Sequence, residues 1–145
     1  MSTTSVSHLP AAVAQGLATG TLAPYCGPGL LALCSGTTPP ADPPALAAVL
    51  TAKVSVPGKI RNRLTAAAQF IENFKHRKTL VGAMDAAFSL PATPSPLHAW
   101  LAAQPSPLLV DTWYDDTFRG ALAGRSDWAE VQGLSQSEHF GTWTG

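Results

Sequence analysis

Two stretches of this chain combine residue types and spacing with which chemistry could be done. Gly27-Pro28-Gly29 closes an apolar run, Thr21 to Cys26, and further apolar residues follow it from Leu30 to Leu33. A glycine turn in that place lets backbone approach a pyrophosphate, and a helix N-terminus behind it adds N–H donors and a positive dipole. The turn lacks the third glycine of the dinucleotide fingerprint, so on its own it reads more readily as a plain turn. The second stretch, Asp111-Thr112-Trp113-Tyr114-Asp115-Asp116, follows the apolar Leu108-Leu109-Val110. Its carboxylates could accept ribose hydroxyls or hold a hard cation. Asp115 and Asp116 read more simply as acids that complement the dipole of a following helix.

Other reactive types are thinly spread. The histidines, His8, His76, His98 and His139, have no metal-ligand spacing, and no Ser-His-Asp or Cys-His set follows from position alone. His98, beside Trp100, reads as a packed or partly exposed side chain rather than a base. Cys26 and Cys34 are too few for a zinc site or a disulfide framework. They fit buried thiols in a reducing, cytoplasmic compartment. No metal is expected.

The elements that must position these stretches are legible in outline. Ser2 to His8 is a polar leader without a basic n-region, and Ala11 to Ala18 is helical, limited by Gly16 and Gly20. Thr21 to Cys26 reads as a strand, although Pro24 cannot donate to a ladder. After the proline-rich loop Gly36 to Pro44, Ala45 to Lys53 forms a short helix. Ile60, Leu64, Ala67, Ala68, Ile71 and Phe74 recur at helical spacing, which predicts an amphipathic helix with its stripe in the core. Thr79 is placed as the cap of the next helix, which carries Leu80, Met84, Ala87 and Phe88. Pro96 opens another, with Leu97, Trp100 and Leu101. Leu108 to Val110 reads as a buried strand, Thr117 to Leu122 as a helix, and Trp128 to Gln132 as a third strand.

Strands alternating with helices make βα crossovers, hence a parallel sheet with helices on its faces. The expected fold is a small three-layer α/β, Rossmann-like domain over residues 21–133. A leader and short helix (1–20) precede it, and a polar and aromatic tail (134–145) follows. Three strands are too few for a full doubly wound sheet, so the domain is either minimal or lacks the C-terminal strands of a larger one. The Ile60 to Phe74 helix is expected to pack through its apolar stripe.

A chain of 145 residues with 46% hydrophobic and 12% charged residues can build a core. Formal net charge is zero and no apolar run is long enough to span a bilayer, so neither nucleic acid nor a membrane is an expected partner. The charges are nevertheless uneven. Lys53 to Lys78 holds seven basic residues and one acid, Glu72, whereas Asp111 to Glu138 holds six acids against Arg119 and Arg125. Such an asymmetry steers anions toward one side of a fold, unless it merely marks paired, solvated faces.

Taken in order, the motifs resemble those of bacterial sirtuin-like (silent information regulator 2-like) domains. Leu22 to Leu30 looks like the family's strand and Gly-Ala-Gly loop, which wraps the NAD pyrophosphate. Pro96-Leu97-His98 followed by Leu108 to Asp116 is similar to its Pro-Leu-His helix and its strand ending in Thr-Thr-Asn-Tyr-Asp-Asp. The likeness covers about Thr21 to Leu122. It implies NAD or ADP-ribose as ligand, held by Gly27, Pro28, Gly29, Thr112, Trp113, Tyr114 and Asp115. Two departures bear on catalysis. Trp113 stands where the family has the asparagine that orients the nicotinamide ribose, and an indole cannot both donate and accept. Pro28 removes one N–H from the cradle. The family's catalytic histidine lies in a later motif, for which His139 is the only downstream candidate here.

Three readings therefore stand. The first is a binding module for NAD, ADP-ribose or a related nucleotide without strong catalysis. The second is an NAD glycohydrolase or deacylase. The third is a structural or interaction protein, using the Trp128, Phe140 and Trp143 region toward a protein partner or further copies of itself.

Overall fold

The computed structural model describes residues 10–36 and 38–131. His139, Phe140 and Trp143 lie outside them. In chain order the described elements are α1 (Ala11–Ala18), β1 (Tyr25–Cys26), a 3₁₀ segment (Pro28–Leu33), α2 (Pro43–Lys53), α3 (Leu64–Lys75), α4 (Arg77–Ala87), α5 (Pro96–Ala102), β2 (Val110–Asp111) and α6 (Thr117–Leu122). The strands pair in parallel, Tyr25 opposite Val110 and Cys26 opposite Asp111. The result is a small, α-rich α/β architecture: a two-stranded parallel sheet with flanking helices.

Each strand is shorter than its apolar run. Pro24 offers only a carbonyl, which accepts from the Val110 amide at 2.9 Å, so the ladder starts there. Leu108 is 57% exposed and Leu109 is half-buried, so the trio before Asp111 is not the fully buried strand its composition suggests. Trp128–Val131 form no strand, and Gln132 lies outside the described residues. The Trp128 indole instead donates to the carbonyls of Leu122 (3.1 Å) and Arg125 (3.2 Å), at the C-terminal end of α6. Glu130 makes a bidentate pair with Arg119 of α6 at 2.6 and 2.7 Å. These contacts draw the segment to α6.

Two cores form. In the first, Leu46 and Leu50 of α2 meet Val54 and Val56, which follow that helix, and Ile71 of α3, with Leu80, Ala83, Met84 and Ala87 of α4 packed against them. Each positional set recurs every three or four residues, so each helix turns one face inward. Full burial of a leucine or isoleucine contributes about 1.5–3 kcal/mol as an upper estimate. In the second core, Leu17 of α1, Cys26 of β1, Leu101 of α5 and Phe118 of α6 come together.

The α3 stripe thus packs on α2 and α4, not on the sheet. Two-residue strands offer too little surface to seat a helix of about 18 Å, and the smaller α1, α5 and α6 serve instead. Nor does the stripe hold to its end. Ile60 precedes the helix in a turn, and Phe74, in the last turn, is 67% exposed with its ring 4.6 Å from that of Phe70.

The helix ends follow local chemistry. Asp42 caps α2, its carboxylate accepting from the Ala45 amide at 2.7 Å, with Pro43 and Pro44 in the first turn. Thr79 does not cap α4, which begins at Arg77; its hydroxyl reaches back to the Lys75 carbonyl. The break between α3 and α4 falls at His76, a non-glycine residue at φ 72°. At Gly20, also φ +72°, a Cβ would lie 2.7 Å from the Pro105 carbonyl oxygen, so the turn after α1 seats closely on the turn before β2. Among the described residues no helix is long and apolar enough to cross a membrane.

Candidate functional site

The parallel register carries both motif loops to the same end of the sheet. Gly27 follows Cys26, and Thr112 follows its partner Asp111. The Thr112 amide and hydroxyl both donate to the Cys26 carbonyl, at 3.0 and 2.8 Å. A Cβ placed on Gly27 would stand 3.9 Å from the Thr112 hydroxyl oxygen. Gly27 is extended, and Pro28 then starts the 3₁₀ segment.

A cleft of about 320 Å³ opens beside this turn, lined by Gly27, Gly29, Leu30, Leu33 and Leu97. It is shallow and mainly apolar, with Leu97 supplied by α5. The position of α5 is set by its cap. Ser95 Oγ accepts from the His98 amide, and His98 Nδ1 accepts from the Ser95 amide, both at 3.3 Å. Because Nδ1 accepts an amide N–H, the 2.7 Å contact with Ser95 has the hydroxyl donating, which places the ring proton on Nε2. This is a capping box with histidine in the place usually held by Glu or Gln. His98 is 2% exposed and its ring lies 4.8 Å from Phe118. Burial lowers its pKa, and Asp115 partly opposes that.

Asp115 is the electrostatic centre of the region. Its carboxylate accepts from the Thr117 amide at 3.2 Å at the start of α6, and its charge is felt at Cys34, His98 and Asp111. Asp111 accepts from the Trp113 amide at 3.1 Å. Burial raises the Asp111 pKa, the Trp113 amide lowers it, and Asp115 raises it further. Cys26, 4% exposed, is pushed up to about 11 by burial and then by Asp111. Burial also raises Cys34, where an amide hydrogen bond from Ser95 works the other way. Thr117 is buried, and its hydroxyl has no partner among the described residues.

The residues expected at a cofactor site thus fall into three groups. Gly27, Pro28 and Gly29 form one turn, with Thr112 against Gly27. Asp115 sits at the start of α6, among Cys34, His98 and Asp111. Trp113 turns toward the helical core, its indole Nε1 donating to the Pro40 carbonyl at 2.8 Å and its ring 6.2 Å from Phe88, whereas Tyr114 stays 57% exposed with its ring 5.7 Å from Phe88. His139 is outside the described residues. Ser95 and Cys34, the latter expected only as a buried thiol, join the Asp115 neighbourhood. The signal for Ser95 is Ser-Pro ahead of an apolar helix, a start pattern; Cys34 has none, since only folding brings it there.

Chemically, this neighbourhood is built to hold backbone ends. The Ser95–His98 contact has nucleophile–base spacing, but Ser95 is 4% exposed and its oxygen is already the α5 cap. Among the described residues, no group of three or more His, Cys, Asp or Glu could hold a metal ion. No family model, curated protein or solved structure matches the chain.

Proposed function

We propose that the chain is a divergent sirtuin-like, Rossmann-like domain that holds NAD, ADP-ribose or a related nucleotide without strong catalysis. The observation that carries this reading is the parallel register of β1 and β2, by which the Gly27-Pro28-Gly29 turn and Thr112 stand side by side. Ligands of parallel α/β sheets sit beyond the carboxyl ends of the strands, where loops from neighbouring strands converge. The open cleft at Gly29, walled by Leu30, Leu33 and Leu97, suits an apolar ring face, and backbone at the glycine turn suits a phosphate.

Loss of strong catalysis follows from Trp113. Cleavage of the nicotinamide bond needs polar groups fixed where ribose charge develops, each worth about 2.7–4 kcal/mol in a preorganised site. The indole N–H is committed to Pro40.

Titration with NAD and with ADP-ribose by calorimetry, followed by product analysis, tests the reading. A Cβ at Gly29 meets nothing within 4 Å, so a side chain there enters open space beside the cleft, and circular dichroism checks that Gly29→Val folds. Binding by the parent and its loss in Gly29→Val is the expected result. No binding of either nucleotide, or equal binding by both proteins, refutes it. Nicotinamide release that disappears in His139→Ala would establish the enzyme reading instead.

A further inference from the structure

At the corner where α2 and α3 end and α4 begins, a second cleft of about 370 Å³ is lined by Lys53, Ser55, Phe74, Lys75, His76 and Thr79, among others. It lies in the most basic part of the chain, seven cations against one acid from Lys53 to Lys78. That acid, Glu72, pairs with Arg77 at 3.0 Å. Lys53 and Lys75 have no carboxylate within ion-pair reach among the described residues. Two helix C-termini meet here and each favours a nearby cation, but that does not account for Phe74. Phe74 stays 67% exposed in the same cleft, with the Phe70 ring 4.6 Å from its own. The chain reverses through His76 at φ 72°, ψ 145°, a conformation side chains rarely adopt, and His76 lines the cleft together with both lysines.

Cations beside an exposed aromatic face are what a flexible polyphosphate with unstacked bases requires. Lysines neutralise phosphates, and a ring with one open face takes any base without reading its identity. A duplex hides its base faces and has no use for the ring. We propose that this corner binds single-stranded nucleic acid, with Lys53, Lys75 and His76 on the backbone and a base stacked on Phe74. The balanced total charge of the chain conceals such a site, because the acids lie mainly in a different segment, from Asp111 onward.

Fluorescence anisotropy with a labelled short oligothymidylate at low salt tests this on the full chain. All the altered residues are exposed, and circular dichroism checks that each variant folds. The intact protein should bind, with affinity falling as salt rises by a log–log slope of roughly 0.7 per phosphate neutralised. Phe74→Ala should weaken binding roughly five- to hundredfold, and Lys53→Glu with Lys75→Glu should weaken it further and flatten the salt slope by at least roughly 0.7 per lysine. Absence of binding, undiminished binding in these variants, a duplex bound as tightly as the single strand, or thymidine monophosphate bound as tightly as the oligomer would each overturn the proposal. NAD titration of Phe74→Ala reads the Gly27 cleft separately.

Discussion

The indole of Trp113 donates to the carbonyl of Pro40 at 2.8 Å across 73 positions of sequence. This contact, with the edge-on approach of Trp113 to Phe88, joins the loop after β2 to the core of α2, α3 and α4. A residue that resemblance places at a nicotinamide is thereby a structural tie between the two cores.

Replacing Trp113 by asparagine should therefore cost stability before it does anything for chemistry. The change removes a half-buried ring and leaves the Pro40 carbonyl without its donor. A loss of about 1–3 kcal/mol is expected, read as a lower midpoint in denaturant. Nicotinamide release from NAD should stay absent in this variant. A Trp113→Asn protein as stable as the parent would show that the tie contributes nothing.

His98 should give the fold an acid-sensitive step. Its folded pKa lies below the ordinary value because burial disfavours the charged ring. The unfolded chain then binds more protons as pH falls, so stability is fully present above about pH 6.5 and declines as pH drops below it, through the folded pKa. Glutamine at this position can keep the reciprocal cap with Ser95 but does not titrate. Melting temperatures between pH 7.5 and 5 should fall less steeply for His98→Gln than for the parent. Parallel curves would assign the acid sensitivity elsewhere.

The two thiols should differ in reactivity. With a pKa of about 11, Cys26 holds roughly one thiolate in a thousand molecules at pH 8, and it is also shielded from solvent. Cys34 is only half-buried. Mass spectrometry after native iodoacetamide treatment should find Cys34 modified first and Cys26 modified only after unfolding. Early modification of Cys26 would contradict the packing of β1 against α5 and α6.

Much of the element list is readable in the residues. Ala11–Ala18 and Thr117–Leu122 form helices as their patterns imply, and Pro96 opens α5. The parallel partnership of Cys26 and Asp111 follows from two apolar runs separated by helical chain. These features rest on simple rules: helical spacing of apolar residues, proline at a first turn, and the long helical connection that parallel strands require.

Partners in space needed the fold. The stripe from Leu64 to Ile71 demands an apolar neighbour, but nothing in it says whether that neighbour is a sheet or another helix. The two-residue strands settle the matter in favour of α2 and α4. Trp128–Val131 have the composition of a strand, yet an indole that reaches the end of α6 and a Glu130–Arg119 pair hold them elsewhere. Local pattern specifies which face of an element is apolar because that depends only on backbone periodicity. What covers the face, and whether Trp113 points at a ligand or at Pro40, depends on contacts between residues far apart in the chain, and those exist only once the chain has folded.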